Sequence, residues 1–514
     1  MTGEQWHDVC ALEDLIEGAG VGALVAERQI ALFQVHGRVY ALDNFDPASR
    51  ANVLSRGLTG NLQGERVVAS PIYKHHFALI SGRCVEDSTF NITAYPTRVE
   101  EGRVRVEVPA ALKTVRLVVA GNGMAGMRTV EELLKLGVAG RFSITVFGSE
   151  PRGNYNRILL SPVLSGEAQA DDIMLHRPAW YTRRGIKLHA GDPIVEIDRK
   201  RRLVRSRNGV VAPYDRLLIA TGSDPIVLPL PGKQLAGVVT FRDLDDVGRM
   251  LEASGKDRRA VVIGGGLLGL EAAHGLSLRG MKVTVVHLMD TLMERQLDAP
   301  AGALLKAALE KRGIEFRMRA KTQEILGAER VTGVRFDGGE EIAADLVVMA
   351  VGVRPNIELA KKAHLACDRG ILVDDTLQTF DPSIYAVGEC VQHRRQTFGL
   401  VAPLWEQARI SAQHIAGIGV SRFSGALNAT QLKVSGIEVF SAGDFSESPS
   451  RESLVLSDKR RGIYKRVVLE GNRICGAVLF GDTCEASRLK ELIAEQADVA
   501  EIRDQLLFDA PAAA

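Results

Sequence analysis

A glycine-rich turn placed between an apolar strand and a helix leaves a chain few folds to adopt, and this sequence uses that turn twice. Gly121-Asn122-Gly123-Met124-Ala125-Gly126 follows the β-branched run Val115-Arg116-Leu117-Val118-Val119-Ala120, and Gly264-Gly265-Gly266-Leu267-Leu268-Gly269 follows Ala260-Val261-Val262-Ile263. The first glycine of each (Gly121, Gly264) permits the tight strand-to-helix turn, and the second (Gly123, Gly266) lets a pyrophosphate approach the backbone. The third (Gly126, Gly269) lets helix pack on strand, with phosphate charge at the helix N-terminus. Met124 and Ala125, and Leu267 and Leu268, complete the two candidate sites. Periodicity predicts helices over Met127 to Leu136 and Leu267 to Arg279, and returning strands over Phe142 to Phe147 and Lys282 to His287. One such motif is weak evidence. Two complete βαβ units predict two bound dinucleotides.

Further along, an apolar strand closes at Ala220-Thr221-Gly222-Ser223, and another ends in Gly388-Glu389. Over roughly residues 113 to 420 the chain resembles the two-dinucleotide-binding flavoprotein reductases. That resemblance implies FAD in the first fold, NADH or NADPH in an inserted second fold, and the Gly388-Glu389 motif against the FAD ribityl and phosphates. The expected fold class is therefore α/β, a FAD fold with an inserted NAD fold, flanked by an N-terminal all-β Rieske-like domain and a C-terminal α+β cap. Expected boundaries are 1–109 for the first domain, 113–234 with 343–420 for the FAD domain, 235–342 for the NAD(P)H domain and 425–514 for the cap.

Residues 1 to 109 read as short strands separated by turns, with almost no helical periodicity. Asn44-Phe45-Asp46 and Ser70-Pro71-Ile72-Tyr73-Lys74-His75-His76-Phe77 resemble the two cluster-binding loops of Rieske ferredoxins. The ligand positions, however, hold Asn44, Asp46, Ser70 and Tyr73, which cannot replace thiolates and imidazoles. With Ala51 to Leu58, these segments are similar to the small subunit of NADH-dependent nitrite reductase, which implies a docking or scaffolding role without a cluster.

Tyr155 to Ser161, and the long string His287 to Asp298, resemble the N-terminal half of the large subunit of the same enzymes. The first segment implies Arg157 at the FAD pyrophosphate and Ser161 near the ring. Carboxylates at the ends of the second strands normally bind adenosine ribose hydroxyls. Here Glu150 is the FAD-side candidate, whereas the nucleotide-side position is His287. A neutral imidazole neither repels nor strongly binds a 2′-phosphate and no arginine follows immediately, so NADH is expected over NADPH. Gly352, in Val351 to Asn356, belongs to the segment that in relatives returns to the FAD fold, and is expected at the NADH site. Trp405 begins a helix that, by the same resemblance, points toward the flavin; the residue itself reads equally as core filler.

Between Tyr155 and Gly166 there is no cysteine, which removes disulfide and peroxide chemistry in its usual form. The six cysteines form no CxxC pair, and Cys390, directly after Gly388-Glu389, reads as a structural thiol. No metal site and no catalytic acid or base is expected. Lysine plus arginine (64) nearly cancel aspartate plus glutamate (63), so no global field argues for nucleic acid or an acidic membrane. No apolar run reaches the ~18 residues of a membrane span, and a cytoplasmic protein is expected.

Residues 425 to 514 predict four strands and a helix over Cys484 to Gln496, followed by a small-residue tail expected to be disordered. Leu432 to Ile437 and Gly481-Asp482-Thr483 resemble the nitrite reductase large subunit, in which an iron–sulfur segment and a sirohaem domain follow; neither is present in this sequence. The resemblance thus implies an NADH dehydrogenase that passes electrons through FAD to a separate nitrate or nitrite reductase metalloprotein. A ferredoxin- or rubredoxin-reductase-like oxidoreductase is the alternative within the same class. An NADH-sensing flavoprotein scaffold or switch is the alternative outside it. Oligomeric state has no sequence signal.

Overall fold

The computed structural model describes residues 4–26, 28–109, 114–425, 429–434 and 436–508. The expected tail at Asp509 to Ala514 and Ser435 of the C-terminal motif lie outside them. The chain divides into two units, Met1–Thr114 and Val115–Ala514.

The first unit is all-β. Gly20–Val25, Arg28–Val35, Arg38–Asp43 and Ala94–Tyr95 form one sheet, and two three-stranded sheets accompany it: Glu4–Ala11 with Arg103–Pro109 and Thr97–Glu100, and Leu58–Leu62 with Glu65–Ala69 and His76–Ala78. His36 and Gly37, both at positive φ (53° and 71°), make the two-residue turn that pairs Val35 with Arg38. Alternation along Arg28–Val35 and Arg38–Asp43 sends Ile30, Leu32, Val39 and Ala41 into one core, and Ala31, Phe33, Tyr40 and Leu42 into a second on the opposite face. Between two loops of this unit lies a buried polar lock. Asp46, fully buried, accepts hydrogen bonds from Ser70 Oγ at 2.6 Å, Ser49 Oγ at 2.7 Å and the Ala48 N–H at 3.0 Å.

The second unit contains two parallel five-stranded sheets. One has the order Lys187–His189, Phe142–Phe147, Val115–Ala120, Arg216–Ile219, Ile384–Ala386. The other has the order Val238–Thr240, Leu346–Met349, Arg259–Ile263, Lys282–Val286, Glu315–Arg317. The glycine-bearing strand is central in each, as expected of strands buried on both faces. Leu346–Met349 lies beyond the expected inter-domain boundary at residue 342, yet it is bonded on both sides within the second sheet. Its four residues are all buried, the mark of an interior parallel strand.

The C-terminal sheet runs Ala429–Val434, Ile437–Gly443, Arg473–Phe480, Ile463–Glu470, Glu452–Asp458, with helix Ala486–Glu495 packed on it through Leu489 and Ile493. Among the described residues, no helix is long and apolar enough to cross a membrane.

Candidate functional site

The two glycine turns have the same internal division of labour. Gly121 and Gly264 sit at φ +126° and +123°, and a Cβ there would lie 2.1 Å from the Ala220 carbonyl oxygen and 2.3 Å from that of Ala350. A Cβ on Gly126 or Gly269 would meet the carbonyl oxygen of the first glycine at 2.8 or 2.0 Å, so these positions press helix against strand. Around Gly123 and Gly266 nothing lies within 4 Å of the same added atom. Both are helix N-caps with no side-chain cap bond, leaving the first-turn N–H groups of helices Met124–Lys135 and Leu267–Leu278 without a side-chain acceptor. A cradle open only at the second glycine is what a pyrophosphate needs.

A cavity of about 760 Å³ joins the two folds. Of the residues anticipated from sequence, Gly121, Gly123, Met124, Ala125, Glu150, Arg157, Ser161, Ala220, Thr221, Gly222, Gly388 and Glu389 line it, together with Leu267 and Leu268 from the second fold. At Gly388, φ +91°, an added Cβ would lie 3.0 Å from the Ala125 methyl, and the Gly388 N–H donates to the buried Gln407 Oε1 at 2.8 Å, which ties the late Gly-acid loop to helix Val401–Ile415.

Two arginine–glutamate pairs lie in the cavity. Arg157 forms an ion pair with Glu150, lies over the Tyr155 ring at 5.1 Å and donates to the Arg242 carbonyl at 2.9 Å, while the Tyr155 hydroxyl donates to Glu150 at 2.8 Å. Arg242 pairs with Glu389, which also accepts from Ser223 Oγ at 2.8 Å. Thr221 Oγ1 donates to the Asn356 carbonyl at 2.7 Å. Ser161 Oγ donates to Glu271 at 2.6 Å, and burial pushes the Glu271 carboxyl up to about 7.

Tyr155, Ser223, Arg242 and Glu271 were not singled out from sequence. Arg242 lies at the first turn of the inserted fold, where no motif marks it. Glu271 did carry a signal, being the one acid of a largely apolar helix, four residues from Leu267.

The remaining anticipated residues do not line the cavity. Gly126, Gly264 and Gly269 are occupied in packing, and Gly266 faces open space at its own turn. Gly352 is at φ +114° beside Ile226. Trp405 is in the second turn of its helix, which begins at Val401 rather than at Trp405. Its ring carries the Arg128 guanidinium at 5.5 Å, and Val401, Ala402 and Leu404 are the residues of that helix facing the cavity. His287 is buried at the end of strand Lys282–Val286, with its ring turned back onto Gly265. Among the described residues no cysteine lines the cavity. Cys390 is fully buried, its thiol pushed up to about 11 by burial and directed at the Val387 carbonyl at 3.3 Å.

Residues 115–414 match the family described as pyridine nucleotide-disulphide oxidoreductase. The chain belongs to that family. It is an oxidoreductase whose cofactors are FAD and NAD(H). Residues 5–107 match the Rieske-like [2Fe-2S] domain, and 429–497 match the C-terminal domain of rubredoxin NAD+ reductase. A nitrite reductase [NAD(P)H] of Bacillus subtilis (strain 168) is 51% identical over 386 residues, 75% of this chain and 48% of that protein. The assimilatory nitrate reductase electron transfer subunit of the same strain is 43% identical over 396 residues, 77% of this chain and 51% of that protein. This chain thus spans about half the length of these two curated relatives. The crystal structure of NADH:rubredoxin oxidoreductase from Clostridium acetobutylicum superposes with a TM-score of 0.64 at 27% identity, over 76% of this chain and 97% of that one.

The residues present fit the family's dinucleotides: both turns leave room for a pyrophosphate at a helix N-terminus with no side-chain cap, and the carboxylates of Glu150 and Glu389, paired with Arg157 and Arg242, line the cavity. They do not fit a [2Fe-2S] cluster. At the four loop positions Asp46 and Ser70 are bonded to each other, Asn44 Oδ1 accepts the Ser55 N–H at 2.7 Å, and Tyr73 is exposed.

Proposed function

We propose that this chain oxidises NADH and passes the electrons through FAD to a separate nitrate or nitrite reductase metalloprotein. The observation carrying this reading is the shared cavity, in which the wall of the second glycine fold (Leu267, Leu268, Glu271) faces the first fold's Arg157 and Ser161, in a chain similar to a nitrate reductase electron transfer subunit. Bound FAD supplies the hydride acceptance and one-electron release that amino acid side chains lack. The chain's part is to bind, align and set charge. Gly123 and the N–H groups after it hold a pyrophosphate. Glu150 and Glu389, held by Arg157 and Arg242, would accept hydroxyls of the same molecule. The N-terminus of helix Val401–Ile415, whose first turn faces the cavity, would stabilise negative charge on a group bound there. No cysteine is among the described lining residues, so none of them would offer a bound flavin a dithiol.

A rubredoxin-type acceptor is the second reading, favoured by the match of residues 429–497 and by the rubredoxin oxidoreductase superposition. NADH oxidation is followed with purified protein and, in turn, rubredoxin and a nitrate or nitrite reductase as acceptor. The proposal expects turnover with the nitrogen-oxyanion enzyme at least ~10-fold above that with rubredoxin. The reverse order replaces it with the second reading.

A further inference from the structure

The acid that a βαβ nucleotide fold places at the end of its second strand, against the adenosine ribose, is missing here and its position is held by His287. The structure shows what the imidazole does instead. Its Nδ1 accepts the Gly265 N–H at 3.1 Å, which puts the ring proton on Nε2, and Nε2 then faces the Thr291 carbonyl at 3.1 Å and Glu294 Oε2 at 3.2 Å. Both ring nitrogens are engaged inside the protein, so His287 has no free donor or acceptor for a ribose or a phosphate.

Gly265 is glycine because a Cβ there would lie 2.7 Å from both His287 Cγ and Leu292 Cδ2. The loop after His287 is fastened to the same turn: the Met293 N–H donates to the Gly265 carbonyl at 3.0 Å, and Leu292 and Met293 are buried. That fastening brings the next residue, Glu294, back to the strand end. Its carboxylate is exposed (36% of the side chain), one oxygen is held by His287, and the other, Oε1, has no partner among the described residues. Of the neighbouring cations, Arg319 and Arg317 are paired with Asp290 and Glu340, and the exposed Arg295 follows Glu294 directly.

We propose that Glu294, carried in by the loop and oriented by His287, is the residue that accepts the adenosine ribose hydroxyls and excludes a 2′-phosphate. The idea rests on the reading that the second glycine fold binds NADH. A carboxylate accepts two hydroxyl donors, whereas a phosphate brings only further negative charge. His287 is thus a positioning residue that replaces the usual acid at one remove.

The test is calorimetric binding of NAD+ and of NADP+ to the flavin-containing full chain, wild type against E294Q and H287N, with flavin content as the check on folding. Wild type is expected to bind NAD+ at least ~10-fold tighter than NADP+. E294Q should reduce that ratio about tenfold or more, by weakening NAD+ and admitting NADP+, and H287N should reduce it partly. A ratio unchanged in E294Q, while wild type still prefers NAD+, overturns the role of Glu294 and leaves NADH binding standing. Wild type that binds neither nucleotide, or prefers NADP+, overturns the proposal together with the NADH reading beneath it.

Discussion

The two glycines of the FAD-side turn, three residues apart, separate binding from folding. A methyl group at Gly123 meets nothing within 4 Å, whereas at Gly126 it meets the Gly121 carbonyl at 2.8 Å and the Ala220 methyl at 2.9 Å. G123A should therefore keep the stability of flavin-free protein within ~0.5 kcal/mol while sharply lowering flavin content. G126A should cost ~1–3 kcal/mol, because helix and strand must part. Denaturant unfolding and flavin absorbance of the purified variants distinguish the two. These roles were legible in the spacing alone, since backbone chemistry dictates them. The raised carboxyl of Glu271 was not: its place as the one acid of its helix marks the residue, but its environment is assembled from Ser161 of the other fold and from burial. In the cofactor-stripped protein its carboxyl, raised to about 7, binds its proton more tightly folded than unfolded. Stability should then be highest below the unfolded value near 4.5 and fall by ~1–3 kcal/mol as pH rises through about 7. E271Q should flatten that fall, which unfolding free energies from pH 4 to 8 would reveal.

At the scale of elements, the Asp46 lock joins the two loops that in Rieske proteins hold a cluster. Removing the carboxylate leaves Ser70 Oγ, Ser49 Oγ and the Ala48 N–H without their acceptor inside a buried site. D46A should thus destabilise the first unit by ~1–3 kcal/mol, seen as an earlier denaturant midpoint of that unit, with flavin content unchanged. The residue types at the four loop positions were readable in advance; that two of them bond each other was not, because they are distant in sequence and meet only through loop geometry. Strands followed the same rule. Val115–Ala120 and Arg259–Ile263 are apolar runs whose burial on two faces is written in composition. Glu452–Asp458, at the edge of the C-terminal sheet, alternates exposed and half-buried residues and has too little apolar content to stand out. Leu346–Met349 is apolar throughout, but only its pairing partners reveal to which sheet it belongs.

Over the whole molecule, every described residue lining the cavity lies between Gly121 and Lys490, and Ala429, Thr430, Gln431 and Phe440 show that the C-terminal sheet contributes to it. Deletion of residues 1–109 should therefore leave flavin content and NADH-dependent dye reduction within about twofold of the full chain, while electron delivery to the metalloprotein falls at least ~10-fold if the first unit docks that partner. Loss of flavin on deletion would show instead that the first unit supports the flavin fold. The order of folds and the two cofactors were legible from motifs. The acceptor is a property of surfaces, which glycine spacing does not encode. The central claim, transfer from NADH through flavin to a nitrogen-oxyanion reductase, is tested most directly by anaerobic double mixing. The protein is first reduced with one equivalent of NADH and then mixed with its oxidised nitrate or nitrite reductase partner. The account predicts that flavin absorbance returns as the partner's metal centre is reduced, at matching rates. Flavin that stays reduced beside an oxidised metal centre would contradict it.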